Sequence, residues 1–143
     1  MIANRLVPIL LVVAAGMFVR APFLIDAAPY ESTMGLVQKI FYFHVPAAIT
    51  MMLSALVCGV ASAIYLWRRR PQADHVAVAA AELTVVLGAI TLLTGPLWAR
   101  KAWGIWWDWE PRLTLTLVLW MTFAGYLMLR RFGGPGSNVM AAA

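Results

Sequence analysis

Four long apolar runs dominate this chain and limit what it can fold into: residues 6–24, 40–67, 76–97 and 113–129. A helix rises about 1.5 Å per residue, so roughly 20 apolar residues cross the hydrocarbon core of a bilayer. Each run meets or nearly meets that length, and the second is long enough to span with tilt. Arg20 and Pro22 interrupt the first run only near its end, and the third carries Glu82. Apolar residues make up 63% of the chain and charged residues only 12%, against roughly a quarter charged in a soluble domain. Too few polar residues remain to cover a soluble surface, so the bilayer is the better solvent. The composition also excludes a disordered chain and a disulfide scaffold. The expected fold is all-α: one integral membrane domain, a polytopic bundle of about four transmembrane helices without internal repeats.

The connections set the orientation. Cationic residues collect at the ends of the apolar runs, which is a topology signal rather than a nucleic-acid footprint despite the net charge of +5. Arg68-Arg69-Arg70 and Arg130-Arg131 directly abut spans, so they and Arg5 are assigned to the cytoplasm. The polar connections are then 25–39 and 98–112 as outer loops and 68–75 on the cytoplasmic side, and 130–143 reads as a cytoplasmic turn followed by the start of a truncated span. The first run is read as an uncleaved span rather than a signal peptide. Because 40–67 and 76–97 form a helical hairpin, His44, about 6 Å inside the second span, must share a membrane face with the 98–112 loop. Whether the two touch depends on helix packing, which the sequence leaves open.

The chemistry concentrates in that loop. Trp103, Trp106, Trp107 and Trp109 occur within seven residues, followed by Glu110, Pro111 and Arg112. Tryptophan anchors helices at the headgroup level, but anchoring needs only one or two. Trp103, Trp106 and Trp107 stand at i, i+3 and i+4, so a helix through them would align the indoles as a flat interfacial shelf. Arg100, Lys101 and Arg112 ring it. A flat aromatic surface edged by cations suits a flat, apolar, dianionic ligand such as haem, whose propionates pair with guanidinium groups. A quinone or a lipid headgroup would also fit. Asp108 or Glu110 could pair with Arg112 or Arg100, with a solvated carboxylate as the alternative, and Pro111 suits the first position of a helix. His44 is an ionisable group inside a span; it is either an axial ligand of haem iron or an interfacial histidine bonded to a neighbouring helix or water. Pro46 should kink the helix or free a carbonyl beside it. His75 reads as a solvated cap residue, Cys58 and the methionines as packing. Glu82 either partners a buried polar group or lies near the inner interface.

The segment Trp103-Gly104-Ile105-Trp106-Trp107-Asp108-Trp109-Glu110-Pro111-Arg112-Leu113-Thr114 resembles the tryptophan-rich WWD signature of the haem-handling cytochrome c assembly family, and Tyr42-Phe43-His44-Val45-Pro46-Ala47-Ala48 is similar to its histidine motif. The likeness extends over essentially the whole chain. It implies a haem-binding protein of the bacterial inner membrane that presents b-type, non-covalent, transiently bound haem on its outer, periplasmic face. The haem platform would comprise Trp103, Trp106, Trp107, Trp109, Glu110, Arg112 and Arg100, with His44 as an axial ligand of the iron. The implied partners are the haem chaperone CcmE, the small membrane protein CcmD and the ABC transporter CcmA–CcmB. The family usually has Asp where this chain has Glu110, which keeps the charge and lengthens the arm. It commonly has six spans and a second axial histidine after the fourth, so the chain is expected to be a fragment holding one of the two. No nucleophile set, phosphate loop or catalytic residue is evident, and the protein is not expected to be an enzyme. The alternatives are a fragment of a related cytochrome c haem lyase or synthase, or a membrane assembly subunit without a ligand.

Overall fold

A computed structural model describes residues 2–133. Four α-helices follow in order: α1 (Ile2–Ala27), α2 (Phe41–Arg68), α3 (Pro71–Trp103) and α4 (Pro111–Phe132). A short 3₁₀ turn, Leu36–Ile40, leads into α2. All four helices are long and apolar enough to cross a membrane, and no strand occurs among the described residues. The all-α membrane bundle expected from the apolar runs is the architecture observed. The reading of a cytoplasmic turn and truncated span over 130–143 lies largely outside the described residues, since α4 runs to Phe132 and the description ends at 133.

Two expectations about the connections need correction. The polar stretch Arg68 to His75 is almost entirely helical, and only Arg69 and Arg70 lie between α2 and α3. Arg69 takes a left-handed conformation (φ 50°) and donates its amide to Tyr65 O at 2.8 Å, closing α2. Pro71 then opens α3, where its missing N–H goes unneeded. At the other end α3 runs six residues past Leu97, so the connection spans 104–110 rather than 98–112. Pro46 does not interrupt α2, and the carbonyl of Pro46 accepts the Thr50 hydroxyl at 2.7 Å.

The α2–α3 hairpin is the centre of the bundle. Ala47, Met51, Ser54, Cys58 and Ala61 form one buried stripe on α2, spaced alternately three and four residues apart. Opposite lie Ala77, Ala80, Ala81, Thr84, Gly88, Thr91 and Ala99 of α3. In lipid, helices gain nothing from hiding apolar surface from each other, so small residues that let backbones approach do the packing. Thr84 and Thr91 satisfy their hydroxyls on Ala80 O and Leu87 O, both at 2.9 Å. Cys58 lies in this seam beside Ala77, Ala80 and Ala81, in the packing role expected of it.

Fewer, more specific contacts hold α4. Trp120 Nε1 donates to Val85 O at 2.9 Å, and its indole covers Gly88. At the end of the bundle where α3 begins, Arg130 grips Asp74 through two bonds of 2.6 Å and adds the Tyr126 hydroxyl at 3.4 Å. α1 is tethered at its C-terminus by Lys39 Nζ, which donates to Asp26 O at 2.5 Å. Glu82 and His75 are exposed on α3.

Candidate functional site

The helix ends opposite the Asp74–Arg130 pair converge on one cavity of about 380 Å³. α2 contributes His44, Ala48, Met51 and Met52, and α3 contributes Thr91, Gly95, Trp98, Ala99 and Trp103. Trp106 and Trp107 come from the connecting segment, Arg112, Leu113 and Thr116 from α4. The antiparallel hairpin brings the start of α2 and the end of α3 together, and the return into α4 folds the tryptophan segment over the gap. The question left open by the sequence is thereby answered: His44 and the tryptophans line the same space.

The indoles are not arranged as their spacing suggested. α3 ends at Trp103 because Gly104 adopts φ 81°, a left-handed conformation that glycine takes without strain, and donates to Arg100 O at 3.1 Å. Trp106 and Trp107 therefore lie on irregular backbone, not on a helical face with Trp103. The local i, i+3, i+4 pattern lost to a glycine stop that the same segment contains. Edge-to-face pairing orders the rings instead: Trp98 with Trp103 at 5.4 Å between centroids, and Trp107 with Trp109 at 5.7 Å.

Two of the three cations, Arg100 and Arg112, lie against indole rings, and their roles differ. Arg112 lines the cavity, lies 5.8 Å from the Trp103 ring and pairs with Glu110 at 2.7 Å. Glu110 is also the N-cap residue of α4, with Pro111 first in the helix. Arg100 lies 6.0 Å from the Trp106 ring and bonds the Gly104 carbonyl, so it braces the turn and does not line the cavity. Trp109 and Glu110 likewise lie outside the lining, with Trp109 73% exposed.

Sequence reasoning missed two members. Trp98 was counted with the loop, yet it belongs to α3 and lines the cavity. Its Nε1 and that of Trp107 are buried without a hydrogen-bond partner among the described residues. A buried donor left unpaired costs about 1–3 kcal/mol. Thr94 is the second: its hydroxyl lies 2.9 Å from His44 Nδ1. A threonine one turn before a tryptophan carries no signal visible in sequence alone.

Fold and site together define a multi-pass helical membrane protein with an aromatic, histidine-bearing cavity at one end of its bundle. The model of the heme exporter protein C family matches residues 1–137. The chain is 38% identical over 130 residues to heme exporter protein C of Rhodobacter capsulatus, covering 89% of this chain and 53% of that protein. Against the protein of the same name from Paracoccus denitrificans it is 40% identical over 101 residues, 71% of this chain and 42% of the relative. Against that of Escherichia coli K12 it is 34% identical over 119 residues, 79% and 49%. This chain belongs to the heme exporter protein C family. It spans about half the length of the curated relatives it matches.

Proposed function

We propose that the cavity binds haem as transported cargo and that the protein serves cytochrome c maturation by presenting that haem at the outer face of the bacterial inner membrane. The observation that carries this reading is the convergence of an imidazole, a guanidinium and four indole side chains, those of Trp98, Trp103, Trp106 and Trp107, on one apolar cavity in a chain of this family. The residues fit the cargo. Indole faces can pack on a porphyrin, Arg112 matches a propionate, and His44 offers nitrogen to iron. Bound haem would supply an iron centre open to axial ligation; the chain's own work is to hold, orient and shield it. Trp103, Trp106 and Trp107 would carry the flat face. Trp109, Glu110 and Arg100 would act from outside the cavity, by fixing Trp107, Arg112 and the turn at Gly104.

On this reading the Arg68–Arg70 connection is cytoplasmic and the 104–110 segment outer, in keeping with the basic residues abutting the spans. The haem chaperone CcmE would receive the haem, with CcmD and the transporter CcmA–CcmB as neighbours in the membrane. The binding is non-covalent and reversible, as transfer requires.

Titration of the detergent-purified chain with haemin, read by absorption, tests the proposal. The parent should develop a saturable Soret band distinct from that of haemin in empty micelles. Trp106→Ala/Trp107→Ala should abolish it, and His44→Ala should shift or weaken it. A parent spectrum identical to that of micellar haemin would refute a haem site.

A further inference from the structure

Resting on the reading of His44 as the iron ligand, we propose that Thr94 is a positioning residue that fixes the His44 tautomer, leaving Nε2 as the nitrogen with a free lone pair. The argument is a count of protons. Thr94 Oγ1 lies 2.7 Å from Ile90 O and 2.9 Å from His44 Nδ1. A hydroxyl has one proton to give and can also accept. If that proton went to Nδ1, the 2.7 Å approach to Ile90 O would hold two oxygens with no hydrogen between them. If it goes to Ile90 O, the hydroxyl oxygen accepts from Nδ1–H and both contacts become hydrogen bonds. The second arrangement makes two bonds where the first makes one, a difference on the order of 1 kcal/mol. It requires Nδ1 to carry a proton, so in the neutral ring Nε2 is the basic nitrogen.

Gly95 makes the arrangement possible. A Cβ at that position would come within 3.3 Å of His44 Cε1, so a side chain there would shift the ring by a few tenths of an ångström. Thr94 and Gly95 thus form one device on α3: the first sets the tautomer, the second admits the ring. Histidines that ligate metals commonly donate their other N–H to a fixed acceptor, which orients the ring and raises its basicity. Here the acceptor is itself anchored by a helix carbonyl, so the chain sets the tautomer before any ligand arrives.

The test needs no bound haem. The chain has two histidines, and His75→Gln leaves His44 as the sole reporter. In ¹⁵N-histidine-labelled protein in detergent, nitrogen chemical shifts and two-bond couplings should show the parent ring protonated on Nδ1. Thr94→Ser should retain that state, and Thr94→Val, with unchanged helix content, should lose it to a mixture or to the Nε2–H form. Haemin titrations of the same proteins should show Thr94→Val binding at least 10-fold more weakly, the scale of such outer-shell losses, with Thr94→Ser near the parent. If the parent is Nε2–H, or if Thr94→Val keeps the parental tautomer and affinity, the inference is wrong. If no protein binds haemin while the tautomer follows Thr94 as described, the haem reading fails and the role of Thr94 in setting the ring stands.

Discussion

Gly88 is where α3 admits α4, and its replacement by alanine should loosen that contact. A Cβ built there lies 2.6 Å from Trp120 Cδ1 and 3.1 Å from Met51 Sδ. The thioether ends a flexible side chain and can swing aside. The indole cannot, because its Nε1 is bonded to Val85 O at 2.9 Å. Restoring ordinary contact at 3.4 Å from the present 2.6 Å moves the ring by 0.8 Å along that line (3.4 − 2.6). Overpacking of this kind costs about 1–3 kcal/mol, and straining the indole bond adds about 1 kcal/mol. Gly88→Ala should therefore destabilise by about 2–4 kcal/mol in reversible denaturant unfolding in micelles. In a Trp120→Leu background the same substitution should cost little, so the coupling energy between the sites should be most of that loss, about 2–4 kcal/mol. A Gly88→Ala protein within about 0.5 kcal/mol of the parent, the range of an ordinary surface change, would refute the notch.

The Asp74–Arg130 pair should behave as a buried one, since the side chains are only 13% and 11% exposed. Asp74→Ala alone should cost about 3–5 kcal/mol by leaving a guanidinium unpaired, while Asp74→Leu/Arg130→Met should recover most of the loss, measured by the same unfolding assay. The turn before α2 should respond to acid: Glu31 accepts the Thr33 hydroxyl and the Met34 and Thr33 amides, which holds its carboxyl down at about 2 from 4.5. A depressed carboxyl stabilises above its unfolded value and loses that contribution as pH falls through the folded one. Amide exchange protection at Thr33 and Met34 should thus decline between pH 4.5 and about 2, and Glu31→Gln should already lack it at pH 7.

The sequence revealed the bundle because membrane spans announce themselves by length and composition alone. It revealed less of where helices stop. Polar side chains at 68–75 and 98–103 suggested loops, yet backbone in or near lipid satisfies its hydrogen bonds best by staying helical, and α3 accordingly takes in 71–75 and 98–103. The site was legible in kind. His44, Trp103, Trp106, Trp107 and Arg112 were named from residue type and spacing, and all line the cavity. Trp109, Glu110 and Arg100 lie outside it because their rings and charges are engaged with Trp107, Arg112 and the Gly104 carbonyl. Thr94 and Gly95 were invisible because their significance depends on which face of α3 meets α2, a tertiary fact.

The irregular backbone of the tryptophan segment follows from how it is held. An interfacial helix through 103–107 would fix its indoles by its own hydrogen bonds and tie their spacing to the helical repeat. Here the segment is fixed at its ends. Gly104 stops α3, with Arg100 bonded to the Gly104 carbonyl. Glu110 and Pro111 start α4, with Thr114 N bonded to Glu110 O at 3.0 Å. The residues between follow the spacing of two helix ends set far away, at the Gly88 notch and the Asp74–Arg130 pair. A change in how α4 lies on α3 would move Arg112 and Trp107 relative to His44 without touching the cavity. Trp120, Val85, Asp74 and Arg130 thus belong to the site's geometry although they do not line it, and loosening their contacts should alter ligand binding as well as stability.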